Sequence, residues 1–102
     1  MIIDTEAHFY TKTYVNELLK YPLYPRFSQG VEGGIILHFY EGLTLIIKHT
    51  LMEELINVEE RLTRMRDAGV SIQVLSLSVP GCEPLEPSLG RRLSKLVNDE
   101  LA

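Results

Sequence analysis

The sequence predicts a mixed α/β fold: two strand–helix units paired in parallel, with a long insertion after the first strand. Three observations predict it. The chain opens on a short strand, "MIIDTEAHFY". A capped amphipathic helix, "NVEERLTRMRDAG", leads through a glycine into the near-continuous apolar run "VSIQVLSLSV". A last amphipathic helix, "RRLSKLVNDELA", follows a proline-rich loop. A helix between two apolar strands implies parallel pairing and a right-handed crossover. At 102 residues the chain makes one small domain with a modest core.

Residues 2–9 read as the first strand. In period two, Ile3, Thr5, Ala7 and Phe9 share one face, and Asp4, Glu6 and His8 share the other. Residues 13–20 form a short helix with Thr13 as N-cap and with Tyr14, Leu18 and Val15, Leu19 at helical spacing. Pro22 and Pro25 end it and predict a loop over "YPLYPRFSQG". Ile35, Leu37, Phe39 and then Leu43, Leu45, Ile47 alternate around Glu41-Gly42, which predicts a hairpin with positive φ at Gly42. A helical turn follows near residues 51–55.

The helix over 57–69 carries the clearest signals. Asn57 caps it, Glu60 stands at N3 as in a capping box, and Gly69 suits the left-handed position that closes it. Val58, Leu62, Met65 and Ala68 form its apolar stripe. Ile72, Val74, Leu75 and Leu77 suit a parallel strand covered on both faces. Pro80, Pro84 and Pro87 make a loop. Ser88 then caps the last helix, whose stripe is Leu89, Leu93, Leu96, Val97 and Leu101. Residues 11–56 are too many for an ordinary connection, so they read as an insertion covering the end of the first strand.

Composition excludes several classes. The net charge is −4, and the ten Lys and Arg form no basic run, which argues against nucleic acid as a partner. Cys82 is the only cysteine, so no intrachain disulfide forms and a reducing compartment is expected. No apolar stretch reaches the roughly 18 residues of a membrane span, and the first residues lack a signal-peptide pattern. A cytoplasmic location without a membrane partner is the expectation.

The apolar stripe of the last helix continues to Leu101, with no C-cap, glycine or polar tail before Ala102. Two parallel strands also leave open edges. The expected explanation is that residues 1–102 are the N-terminal portion of a larger TIM (β/α)₈ barrel, an incomplete barrel, since eight units take about 250 residues. The alternative is a small protein that pairs through its edges in a homo-oligomer.

The segments carry a family pattern. "MIIDTEAHFY" resembles the first barrel strand of the amidohydrolase-related (amidohydrolase 2) family of metal-dependent barrels. Many members read D-x-H-x-H there, whereas one branch reads Glu-x-His, as Glu6-Ala7-His8 does. "RLTRMRDAGVSIQVLSLSVPG" is similar to the family's first helix, glycine turn and second strand, and "RRLSKLVNDELA" to the helix that follows. The resemblance covers roughly residues 1–10 and 57–102 and leaves the insertion aside. It points to the 2-amino-3-carboxymuconate-6-semialdehyde decarboxylase-like and hydroxybenzoate decarboxylase branch. It implies a metal-dependent carboxy-lyase that decarboxylates an aromatic or muconate-like carboxylic acid, using Zn²⁺ or Mn²⁺. The family's site also uses a His from a middle barrel strand and an Asp from the last. This sequence contains neither strand, so the 102 residues alone are expected to be inactive.

Glu6 and His8, two apart at a strand end, are the candidate metal ligands. A carboxylate oxygen with an imidazole nitrogen suits Zn²⁺ or Mn²⁺, and barrel sites sit at the C-terminal ends of strands. Two ligands leave a shell incomplete, because a catalytic zinc usually takes three from the protein. Asp4 is expected on the same face one step deeper, in a structural role. His38 and His49 lie in the insertion with no spacing that ties them to the pair; solvent exposure is the ordinary account of His38. Ser76 and Ser78 end the second strand and Pro80-Gly81 follow it, where pocket loops form, though a buried strand end with satisfied hydroxyls is the ordinary account. Cys82 has no neighbouring base to make it a nucleophile. Tyr10, Tyr14, Tyr21, Tyr24 and Tyr40 could wall an aromatic pocket, though packing of the insertion is the ordinary account. Two competing functions stand beside the carboxy-lyase: a metal-dependent hydrolase of lactonase or amidohydrolase type, and a non-catalytic chain, either an inactive truncation or a small oligomeric binding module.

Overall fold

The computed structural model describes residues 1–101, with the side chain of Glu6 outside the described set. The elements run β1 (Ile2–Phe9), α1 (Lys12–Lys20), β2 (Arg26–Gln29), a 3₁₀ turn (Val31–Gly33), β3 (Ile35–Tyr40), β4 (Leu43–Ile47), α2 (His49–Ile56), α3 (Val58–Ala68), β5 (Val70–Leu77) and α4 (Pro87–Leu101). The architecture is mixed α/β. β1 and β5 form a two-stranded parallel sheet, and β2-β3-β4 form a three-stranded antiparallel one.

Local chemistry explains the boundaries and corrects several expectations. α1 starts earlier than its predicted Thr13 cap: extended Thr11 accepts the Tyr14 amide on Oγ1 at 3.2 Å, which leaves Thr13 inside the first turn. Part of the predicted loop is strand β2. Pro22 and Pro25 both precede its first residue, so neither removes a donor from the ladder, and buried Phe27 pairs with Leu37. The hairpin of β3 and β4 forms as expected, with Gly42 at φ 85°. α2 extends well beyond a single turn.

Asn57 does two jobs. Its Oδ1 accepts from Glu60 N–H at 3.1 Å, while its own N–H donates to Glu53 O at 2.8 Å. The second bond takes the donor that a full capping box would use, and the Glu60 carboxylate turns to Arg64 at 3.1 Å instead. One residue therefore ends α2 and starts α3. Gly69, at φ 75°, closes α3 as expected.

At α4 the cap is Glu86 rather than Ser88. Pro87 occupies the first helical position, and the Glu86 carboxylate accepts the Ser88 and Leu89 amides, each at 3.1 Å. Ser88 is already inside the helix, and its hydroxyl donates to Glu86 Oε2 at 2.7 Å. That hydroxyl and the two amides hold the exposed Glu86 carboxyl below its ordinary value of 4.5.

The core lies largely in the long excursion after β1. Tyr10, Tyr14, Leu18, Phe27 and Leu37 pack there against Leu93 and Val97 of α4. The rings of Tyr10, Tyr14 and Phe27 stand 5.5 to 6.0 Å apart in tilted and edge-on geometry. Each such pair contributes about 0.5–1.5 kcal/mol beyond area burial. The excursion is thus a folded subunit of the core, and α2 meets the C-terminal end of β1 through Tyr10 N–H to Leu55 O at 3.0 Å.

The expectation that β5 is covered on both faces does not hold among the described residues. α3 and α4 lie over the face that carries Phe9, Gln73, Leu75 and Leu77, although Leu75 stays 38% exposed in the open clefts beside them. The opposite face is bare, and Ile72 and Val74 are 47% and 51% exposed. The reason is geometric: both helices pack on one side, and the antiparallel sheet packs with α1 rather than across the other side. The α3 stripe is only partly covered too, since Val58 and Leu62 remain about half exposed.

Glu86 yields a signed prediction. A lowered folded pKa gives stability that is full above the ordinary value of 4.5 and is lost as pH falls through the lowered one. Thermal melts of Glu86→Gln should therefore fall below wild type at neutral pH, and the two should converge on acidification. A constant gap at all pH values would contradict the cap.

Candidate functional site

The two parallel strands end side by side. His8 pairs with Ser76 and Phe9 with Leu77, and Ser78 N–H donates to Phe9 O at 2.8 Å. Two phenols fasten the loop that follows. Tyr10 Oη donates to Val79 O, and Tyr14 Oη donates to Gly81 O at 2.6 Å. Burial pushes both phenols above their ordinary pKa, Tyr14 strongly, so they remain donors at neutral pH. Tyr10 and Tyr14 are core packing and loop clamps, and Tyr24 and Tyr40 are exposed. Tyr21 accepts the Glu86 amide at 3.2 Å.

The register of β1 corrects its predicted faces. Asp4 pairs with Gln73 and Ala7 with Leu75, so three steps along β1 match two along β5. A bulge at Thr5–Glu6 absorbs the extra residue, and a slip of one inverts the alternation. Asp4 therefore shares the helix-covered face with Ala7 and Phe9, where Gln73 Nε2 donates to Asp4 Oδ2 at 3.3 Å. It does not share the face of His8. His8 is exposed and, with Ser76, lies on the bare face at the C-terminal end of β1. The Glu6 side chain, the other predicted ligand, lies outside the described residues.

Sequence reasoning missed the residue that fastens this strand end. Arg61 of α3 donates from Nη2 to His8 O at 2.6 Å and to Glu54 O at 3.4 Å, and from Nη1 to Gln73 Oε1 at 3.2 Å. One guanidinium thus joins the end of β1, the last turn of α2 and β5, and through Gln73 it reaches Asp4. Partial burial lowers the Arg61 pKa, and the Asp4 charge opposes that shift. Both residues left a trace in the sequence. Arg61 stands three after Val58 and four before Met65, on the flank of the apolar stripe, and Gln73 breaks an apolar strand at the parity of Leu75 and Leu77.

A cleft of about 230 Å³ opens here, lined by His8, Leu51, Glu54, Arg61 and Gln73. That is below the usual size of a ligand cavity. A larger open cleft, about 530 Å³, lies on the helix-covered side between α4 and the loop after β5, where Cys82 lines it. His38 is half-buried rather than solvent-exposed: its Nε2 lies 2.7 Å from Ser28 Oγ on the neighbouring strand. His49 is exposed at the start of α2. Among the described residues no group of three or more His, Cys, Asp or Glu is placed to hold a metal ion. At the strand end His8 offers an exposed imidazole, a donor that suits Zn²⁺ or Mn²⁺ in kind.

No helix among the described residues is long and apolar enough to cross a membrane. In comparisons with known proteins, no protein-family model and no curated sequence matches this chain.

Arg61→Ala should destabilise the fold by about 1.5–3 kcal/mol in urea denaturation, because it removes charge-assisted bonds to carbonyls at a packed junction. Arg61→Lys should recover little, since one ammonium cannot span the same acceptors. Full recovery by Lys would show that charge alone matters there.

Proposed function

We propose that this chain supplies the first two βα units of a metal-dependent (β/α)₈ barrel of the amidohydrolase-related kind. In this reading Glu6 and His8 are half of the ligand shell for Zn²⁺ or Mn²⁺. The assembled site performs non-oxidative decarboxylation of an aromatic or muconate-like carboxylic acid. One observation carries the reading: a parallel strand pair with both helices on one face, and on the other a bare face of Ile3, Ile72 and Val74 with His8 at the C-terminal end. In a barrel sector the helix-covered face is the outside, and the bare face is the inside that other strands complete.

The roles of this chain's residues follow. His8 presents an imidazole nitrogen at the rim, and in this reading Glu6, two residues earlier on the same strand, adds a carboxylate oxygen. Arg61 fixes the backbone of His8 from behind, so the imidazole starts from a constrained position. Ser76 sits beside His8 in register, within the sector that a substrate carboxylate would enter. A bound divalent ion would orient that carboxylate and neutralise charge as CO₂ leaves. The remaining ligands and the proton donor come from outside these residues.

Isothermal titration of the 102-residue chain with Zn²⁺ and with Mn²⁺ tests the ligand pair. Wild type should bind one ion per chain, and the Glu6→Ala, His8→Ala double variant should lose several kcal/mol, on the order of 100-fold or more in Kd. Unchanged binding in the double variant would remove the assignment. Metal-dependent CO₂ release from a hydroxybenzoate by a polypeptide that completes the barrel, abolished by His8→Ala, tests the chemistry. Hydrolysis of a lactone instead would place the chain on the hydrolase side.

A further inference from the structure

We infer that two copies of this chain join through β4, edge to edge and antiparallel, making one continuous sheet from twice the three strands β2-β3-β4. This holds whether or not Glu6 and His8 bind a metal, because β4 lies in the excursion and outside the parallel sheet.

β4 is the end strand of its sheet, so one row of its backbone donors and acceptors has no ladder partner within the sheet. Isolated proteins protect such edges with charge, proline or a bulge. The strand "LTLII" contains neither a charge nor a proline, and its register is regular from Thr44 to Ile47. The one irregularity lies at the turn end, between His38 and Tyr40 on β3. Its apolar side chains are also uncovered: Leu45 is 44% exposed and Ile46 is 72% exposed. An apolar edge without charge or proline is a template for another strand.

The charges at its ends favour a second copy as that strand. Glu41 precedes β4, and Lys48 and His49 follow it, all exposed. Antiparallel self-pairing brings the Glu41 end of each copy to the Lys48-His49 end of the other, so the match is made twice. Parallel pairing would set like ends together. In a two-fold antiparallel pair the outward-facing positions share one parity, so a residue faces its own equivalent at the centre. Centring on Leu45 places Leu43 opposite Ile47, Thr44 opposite Ile46, and Glu41 opposite His49.

Sedimentation velocity on the full chain over a micromolar concentration range tests this. The expected mass is twice 11.6 kDa. Leu45→Lys, which sets two like charges at the symmetry axis, should give monomer. Ile46→Lys serves as the second variant, because its side chain is solvent-facing and the fold can be checked by circular dichroism. Glu41→Lys should weaken the dimer several-fold, and adding Lys48→Glu to it should restore affinity. A monomer throughout in wild type would overturn the proposal. So would a dimer that survives Leu45→Lys and Ile46→Lys, or one lost only with Val74→Lys, which would move the contact to the parallel sheet.

Discussion

Parallel pairing of β1 with β5 is the constraint on which the rest of the structure depends. It joins residues 2–9 to residues 70–77 with both strands running the same way. The chain that leaves the end of β1 must therefore return to the start of β5. α3 makes that return alone. Everything between β1 and α3 has to leave the C-terminal end of β1 and come back to it. The bond from Tyr10 N–H to Leu55 O records the closure, because it ties the residue after β1 to the last turn of α2. Between those points the excursion folds into its own antiparallel sheet and donates most of the buried aromatic surface.

The same constraint divides the parallel sheet into unlike faces. Helices pack on the face of Phe9 and Leu77, and the polar relay Arg61–Gln73–Asp4 is built there. His8 and Ser76 are left on the uncovered face with Ile72 and Val74. Arg61 connects the two sides, since it grips the carbonyl of the residue whose imidazole belongs to the other face. Tyr10 and Tyr14 then tie the loop after β5 to the excursion, so both strand ends are anchored to one cluster. A strand end held this way is a rigid place to mount a ligand.

What could be read from the sequence was what local chemistry decides. Asn57, the stripe of α3 and Gly69 mark their helix because caps and periodicity act within a few residues. The hairpin around Gly42 was legible for the same reason. The bulge at Thr5–Glu6 was not. No glycine marks it, and only pairing with a strand some 68 positions away defines it (Ile2↔Val70). It moved Asp4 from the predicted ligand face to a structural hydrogen bond, while His8 kept a place where a ligand could sit. β2 was hidden because its prolines resemble a loop signal until Leu37 supplies the partner for Phe27. Glu86 displaced Ser88 as a cap because Pro87 fixed the start of α4 two residues earlier than a serine cap requires. Bareness of the Ile72–Val74 face was out of reach, because an apolar run reads the same whether or not another layer covers it.

In the proposed function the imidazole of His8, on the uncovered face at the strand ends, is the metal-binding histidine of this chain. Histidine side-chain NMR spectra recorded during a Zn²⁺ titration test it most directly. The three histidines, His8, His38 and His49, report in one experiment. The His8 ring resonances should shift first, before those of His38 and His49. A first response at His38 or His49, or none at His8, would contradict it.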